Sequence, residues 1–193
     1  MLRLRFPAGC GQALLFTVAA LFLLLWVLAD PPPLRAQQPE IRELASRLAS
    51  PLKKKLGSAN PRIRLAVFNF PNADGGESEL GVLWAGELAE ALSAQGAPFE
   101  IVPQIALEQI IRAARLRGAQ LRDADYMRQV ARAAGAHAAL VGVIQPKGKT
   151  LRLQVTALRT SEWGQYAEEA VKIPVTKELS ALYFKYTRTE AAR

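Results

Sequence analysis

Cysteine occurs once in the 193 residues, at Cys10, and histidine once, at His137. A lone cysteine excludes an intramolecular disulfide, and everything after residue 36 is free of thiols, which suits an oxidising compartment. A zinc site would have to be built almost wholly from carboxylates, because His137 has no second imidazole or thiolate to join it. No serine stands in a G-x-S-x-G turn, so the nucleophile of a hydrolase elbow is missing. Aromatic residues make up only 7% of the chain. None alternates with basic residues in the strand pattern of single-strand binders, which excludes nucleic acid as the expected partner. No residue is singled out as catalytic, as a metal ligand or as a cofactor contact.

What is present is organised around residues 65–96. Leu65, Ala66, Val67, Phe68 and Phe70 form a short apolar run suited to a strand covered on both faces. Leu80, Leu83, Trp84, Leu88, Ala91 and Leu92 recur at helical spacing, with Ser78 as N-cap and Gly96 as a stop. A second strand follows at 99–102. Strand, helix and strand at this spacing predict a βαβ unit with parallel strands.

The first 36 residues have a different character. Arg3 and Arg5 precede an uncharged stretch with a dense apolar core at 13–29, then Asp30, three prolines and Ala36. This is the order of a secretory signal peptide, cut after Ala36 or retained as an N-terminal membrane anchor. Either way the arginines hold the N-terminus inside and place the rest outside the cytoplasm. Cys10 lies before the apolar core, the wrong order for lipidation. The formal charge is +8; leaving out Arg3, Arg5, Arg35 and Asp30 lowers it to +6. That excess fits anionic envelope polymers or lipid headgroups as well as a solvated surface.

Residues 37–60 read as a first helix and linker, with Ser50-Pro51 predicting a kink or restart and Lys53, Lys54 and Lys55 a basic last turn. After Pro103 comes a helix bearing Ile105, Leu107, Ile110, Ile111 and Ala114, ending near Gly118. Asp123 caps a second helix that buries Tyr126, Met127, Val130 and Ala134 and stops at Gly135. A continuous apolar strand at 138–144 turns at Pro146-Lys147-Gly148 into 151–158, where apolar and polar residues alternate and one face is wet. Glu162-Trp163-Gly164 turns the chain into a last strand over 166–173, and Thr176 caps a terminal helix. Residues 61–193 therefore form a single α/β domain. Its mixed sheet has about five strands, a βαβ core plus an antiparallel meander, with packed helices.

Leu65-Ala66-Val67-Phe68 with Phe70-Pro71-Asn72, Glu79-Leu80-Gly81, Glu87-Leu88, Ala91-Leu92, Phe99-Glu100-Ile101-Val102-Pro103, Leu107-Glu108-Gln109-Ile110-Ile111, and Gly135-Ala136 before Leu140-Val141-Gly142 resemble the FlgO-type envelope proteins. These are relatives of the CsgG-like and TolB amino-terminal-like domains, and the resemblance spans residues 41–174. These are packing and turn residues, which mark a fold rather than an activity. The resemblance implies a non-enzymatic envelope protein, accessory to a surface or periplasmic assembly. The connections between strands are too short to build the barrel of a CsgG-like pore.

Asn72 to Gly81 lies where phosphates bind in α/β folds, but it has neither the P-loop ending nor the dinucleotide glycine spacing. Asp74, Glu77 and Glu79 already occupy the positive end of the helix. The polar feature with a direction is the run of Arg112, Arg115, Arg117, Arg122, Arg128 and Arg132, opposed only by Asp123 and Asp125. Arg112 and Arg115 share one helix face and Arg128 and Arg132 another. Side by side they form a cationic ridge able to grip an acidic partner: an envelope protein, an anionic polymer or lipid. Trp163, in a turn, is the exposed aromatic contact, and Trp84 is core. Two functions stay open. One is a non-catalytic exported envelope scaffold or interaction domain. The other is an envelope enzyme or small-ligand-binding protein with a pocket at the strand C-terminal ends, near Asn72 and Pro103. Oligomeric state is open.

Overall fold

The computed structural model describes residues 38–57, 62–96, 99–116 and 123–186. The leader, with its apolar segment and Cys10, lies outside them, as do Arg117, Gly118 and Arg122. The described residues hold five helices and five strands. They run α1 (Pro39–Leu56), β1 (Ile63–Val67), α2 (Glu79–Ser93), β2 (Phe99–Ile101), α3 (Gln104–Ala113), α4 (Ala124–Ala133), β3 (Ala138–Lys147), β4 (Thr150–Arg159), β5 (Gln165–Pro174) and α5 (Lys177–Phe184).

The sheet order is β2-β1-β3-β4-β5. β1 is parallel to both of its neighbours, with Ile63 opposite Phe99 and Leu65 opposite Ala138. β3, β4 and β5 form the antiparallel meander. The predicted single α/β domain with a mixed five-stranded sheet is the observed one.

Two apolar layers cover the sheet. On one face, α1 and α2 bury Leu44, Leu48, Leu52, Leu80, Trp84 and Leu88 against Leu65, Val67, Leu140, Leu153, Val155 and Ile173. On the other, Leu107 of α3 and Met127, Val130 and Ala131 of α4 cover Ala66, Phe68 and Ala139. The first crossover runs from β1 out to β2 over one face and the second returns from β2 past β1 to β3 over the other, which opens a crevice at the carboxyl end of β1.

Several local expectations change. α1 is one helix that contains Pro51. The missing N–H costs a bond on the exposed side, but Leu48, Leu52 and Leu56 remain buried on both sides of the proline and hold the stripe together. α1, the expected first helix, packs its apolar stripe into the core beside the sheet. α3 ends at Ala113, where Arg115 adopts a left-handed conformation (φ 54°). Only Leu107 is buried on it, and Ile105 is 57% exposed. Tyr126 is half-buried.

Pro146, read as turn, lies inside β3 opposite Leu151. The hairpin that follows has a two-residue turn, Gly148-Lys149, so Lys147 and Thr150 form its hydrogen-bonded closing pair. Ladder alternation then makes Pro146–Leu151 a non-hydrogen-bonded pair, in which no N–H is required.

The lysine run is held structurally. Lys53 Nζ reaches Gln95 O (3.5 Å) and the Phe99 ring (5.9 Å), and Lys55 Nζ donates to Tyr166 O (2.6 Å).

Candidate functional site

α4 starts where the Asp123 carboxylate accepts the Asp125 N–H at 2.8 Å, as the sequence implies. Arg128 and Arg132, one turn apart on this helix, both turn toward the β4–β5 hairpin. Arg132 Nε donates to Thr160 O at 2.6 Å. Thr160 Oγ1 donates in turn to Ala136 O and His137 O, at 2.8 and 3.0 Å, which ties the hairpin base to the α4–β3 connection. Arg159 N donates to Gly164 O at 3.1 Å, and Gly164 supplies the left-handed φ of 115° that closes the turn.

The Arg128 guanidinium then lies over the Trp163 ring, 5.0 Å from its centroid, and is ion-paired with Asp125. Arg128 is 14% exposed, whereas Trp163 is 77% exposed. The indole is thus displayed to solvent with one face resting on a half-buried cation. Beside it, Arg159 stacks on Tyr166 at 5.2 Å and pairs with Glu162. Burial raises the Tyr166 phenol above its ordinary pKa, with Arg159 opposing and Glu162 adding to the shift. A concavity of about 350 Å³ opens here, lined by Arg128, Gln129, Arg132, Ser161 and Trp163. Asp125 and Glu162 also line it, so its charges balance. It is an amphipathic notch, not a concentrated positive field.

The arginines thus fall into two neighbourhoods. Arg128 and Arg132 meet Trp163, which the sequence set apart as a separate candidate. Arg112 is exposed on α3 and paired to Glu108 at 3.5 Å, whereas Arg115 is exposed beyond the end of α3 in a left-handed conformation, so the two do not share a helix face. Arg112 borders a second concavity, of about 290 Å³, with Phe68, Asn69, Glu77, Gln104 and Glu108. That space is the crevice at the carboxyl end of β1. The Arg159–Tyr166 stack went unread. Its signal is the placement of an arginine and a tyrosine on the two strands flanking the Glu162-Trp163-Gly164 turn.

The Gly-rich loop is closed by the chain's own C-terminal segment. Asn72, 1% exposed, accepts from Ser78 Oγ (2.9 Å) and donates to Tyr183 O (3.1 Å). Ser78 Oγ accepts the Gly81 N–H at 3.3 Å. Glu79 N donates to Lys185 O at 3.0 Å, and Lys185 Nζ pairs with Glu79 at 2.8 Å. Tyr186 Oη donates to Asp74 Oδ2 at 2.7 Å, a bond that raises its pKa, and burial raises that of Tyr183. The polar groups that could cradle a phosphate are consumed in fastening this strap.

His137 Nδ1 accepts the Arg64 N–H at 2.9 Å while the His137 backbone N–H donates to Arg64 O at 2.8 Å, which ties the start of β3 to β1. Among the described residues no group of three His, Cys, Asp or Glu side chains could hold a metal ion. Nor is any helix among them long and apolar enough to cross a membrane.

No family model matches the chain, and no curated protein matches it. Solved structures do. The C-terminal domain of LpoB from Salmonella enterica superimposes with a TM-score of 0.55 at 15% identity, over 72% of this chain and 99% of that one. The corresponding domain from Escherichia coli gives 0.52 at 18% identity, over 72% and 99%. The NMR structure of E. coli LpoB gives 0.53 at 13%, over 91% of this chain and 81% of that one. At such identities the likeness is one of fold. These matches carry the name LpoB, an envelope protein, and none carries the FlgO, CsgG or TolB name that the sequence resemblance implied.

Proposed function

We propose that this chain is a non-catalytic, exported cell-envelope interaction domain that docks a partner protein on its β4–β5 hairpin. The observation that carries the reading is Trp163, exposed yet fixed by Arg128. Tryptophan and arginine dominate binding hot spots, and an aromatic already held in one pose loses little freedom on docking. The balanced charge of the notch favours a protein surface over an anionic polymer or lipid. Export rests on the leader at 1–36, followed by the domain from 37 onward. A phosphatase fused after Arg193 is expected to be active; a silent fusion would end the envelope assignment.

Docking is tested by recovering envelope proteins with the tagged full chain. Trp163→Ala is expected to reduce recovery roughly thirtyfold, corresponding to a hot-spot loss of about 2 kcal/mol. Its melting temperature should stay near that of the wild type, since the side chain is exposed. Arg128→Ala is expected to weaken recovery and also to loosen the hairpin. Undiminished recovery by Trp163→Ala would remove the proposal.

The crevice beside Arg112 supports a second reading, a small-ligand site at the strand C-terminal ends. Filling it with Met127→Trp would abolish recovery if that space, and not the hairpin, carries the function.

A further inference from the structure

The edge of the sheet has an addressable register. Val175 N donates to Lys149 O at 3.0 Å. In the β4–β5 ladder these residues continue the pairing of Thr150 with Pro174 and Leu151 with Ile173. An N–H bonded to the directly opposite residue marks a hydrogen-bonded pair, and such pairs alternate along an antiparallel ladder. Odd-numbered residues from 167 to 175 therefore bond to β4. Glu168, Ala170 and Lys172 direct their backbone N–H and C=O groups outward, away from the sheet.

Both ends of this stretch are stopped. Tyr166 O is occupied by Lys55 Nζ, and Pro174 has no N–H to offer. The side chains of Glu168 and Lys172 are exposed on the face opposite buried Val171 and Ile173. On the core face Glu169 lies 3.9 Å from Arg47 of α1.

We infer that β5 pairs antiparallel with β5 of a second copy of this chain, on a two-fold axis through Ala170. That register opposes Ala170 to Ala170 of the other copy and Glu168 to its Lys172, twice by symmetry. The outward backbone groups of 168, 170 and 172 then all meet hydrogen-bonding partners, making about six hydrogen bonds. Two Glu–Lys pairs face each other across the seam. A register centred two residues toward the C-terminus opposes lysine to lysine. A register centred one residue that way sets the N–H-less Pro174 against Glu168. Charged residues and a proline ordinarily blunt an edge strand; here the same residues disfavour both of those shifted registers. The inference does not depend on the hairpin docking surface, which lies at the other end of β5.

The test is a cysteine cross-link in the full chain, with Cys10→Ser removing the native thiol and Ala170→Cys placed on the axis. Opposed Cα atoms across a hydrogen-bonded antiparallel pair lie about 5.5 Å apart, within disulfide range. Mild oxidation is expected to give a covalent dimer. Adding Glu168→Lys alone, or Lys172→Glu alone, puts like charges across the seam and should cut the yield roughly tenfold. Combining the two restores opposite charges and should restore the yield. A monomer under oxidation overturns the inference. So does cross-linking that ignores the charge reversals, or a double variant that fails to recover while its melting temperature matches the wild type.

Discussion

Trp84→Ala is expected to destabilise the domain by about 3–5 kcal/mol, enough to lower the melting temperature by roughly 10 °C or more. Trp84 is fully buried on α2, between the α1 helix and the sheet, and the cavity left behind is walled by large side chains that are themselves fully buried. Its indole Nε1 has no acceptor among the described residues. Trp84→Phe is therefore expected to cost much less, because it retains most of the apolar volume and removes an unpaired buried donor. Thermal denaturation of both variants checks the point; equal losses would show that the indole N–H is in fact satisfied.

The second large effect reverses a rule of helix propensity. Gly81 and Gly86 both lie in α2, where alanine is ordinarily favoured over glycine by about 1 kcal/mol. At Gly86 a Cβ would meet nothing within 4 Å, and Gly86→Ala is expected to stabilise by about 0.5–1 kcal/mol. At Gly81 a Cβ would overlap the carbonyl oxygen of Phe70. Phe70 cannot retreat, because its ring already rests on Gly142 and it is fully buried. A clash with backbone has no rotamer to relieve it, so Gly81→Ala is expected to cost about 2–3 kcal/mol. Melting temperatures moving in opposite directions for the two variants are the outcome expected. A stabilised Gly81→Ala protein would mean that α2 does not approach the Phe70 backbone, just past β1, this closely.

Much of the candidate site was legible, but only in separate parts. Trp163 stood in a recognisable turn, and Arg128 and Arg132 at a recognisable helical spacing. Their meeting was not legible, because it depends on where α4 lies relative to the end of the meander. The sequence suggested one ridge of four arginines. The folded chain places Arg112 at the crevice and Arg128 under the indole, and pairs each with a carboxylate from its own helix.

Local pattern alone determined the α/β class. It also determined the parallel βαβ unit, the caps at Ser78, Asp123 and Thr176, the burial of Trp84 and the antiparallel meander. Each rests on residues close in sequence: a period of two or of 3.6, or a side chain reaching a backbone N–H two or three positions on. Only the tertiary structure decided that α1 runs through Pro51, that Pro146 sits inside a strand, that Gly81 is obligatory, and that the C-terminal segment straps the Gly-rich loop. Apart from Pro146, whose partner Leu151 lies five residues on across the hairpin, those outcomes turn on contacts between residues more than ten positions apart in the chain. There a missing N–H is harmless where no partner is waiting, and a missing Cβ is essential where another backbone passes. No local window contains both sides of such a contact.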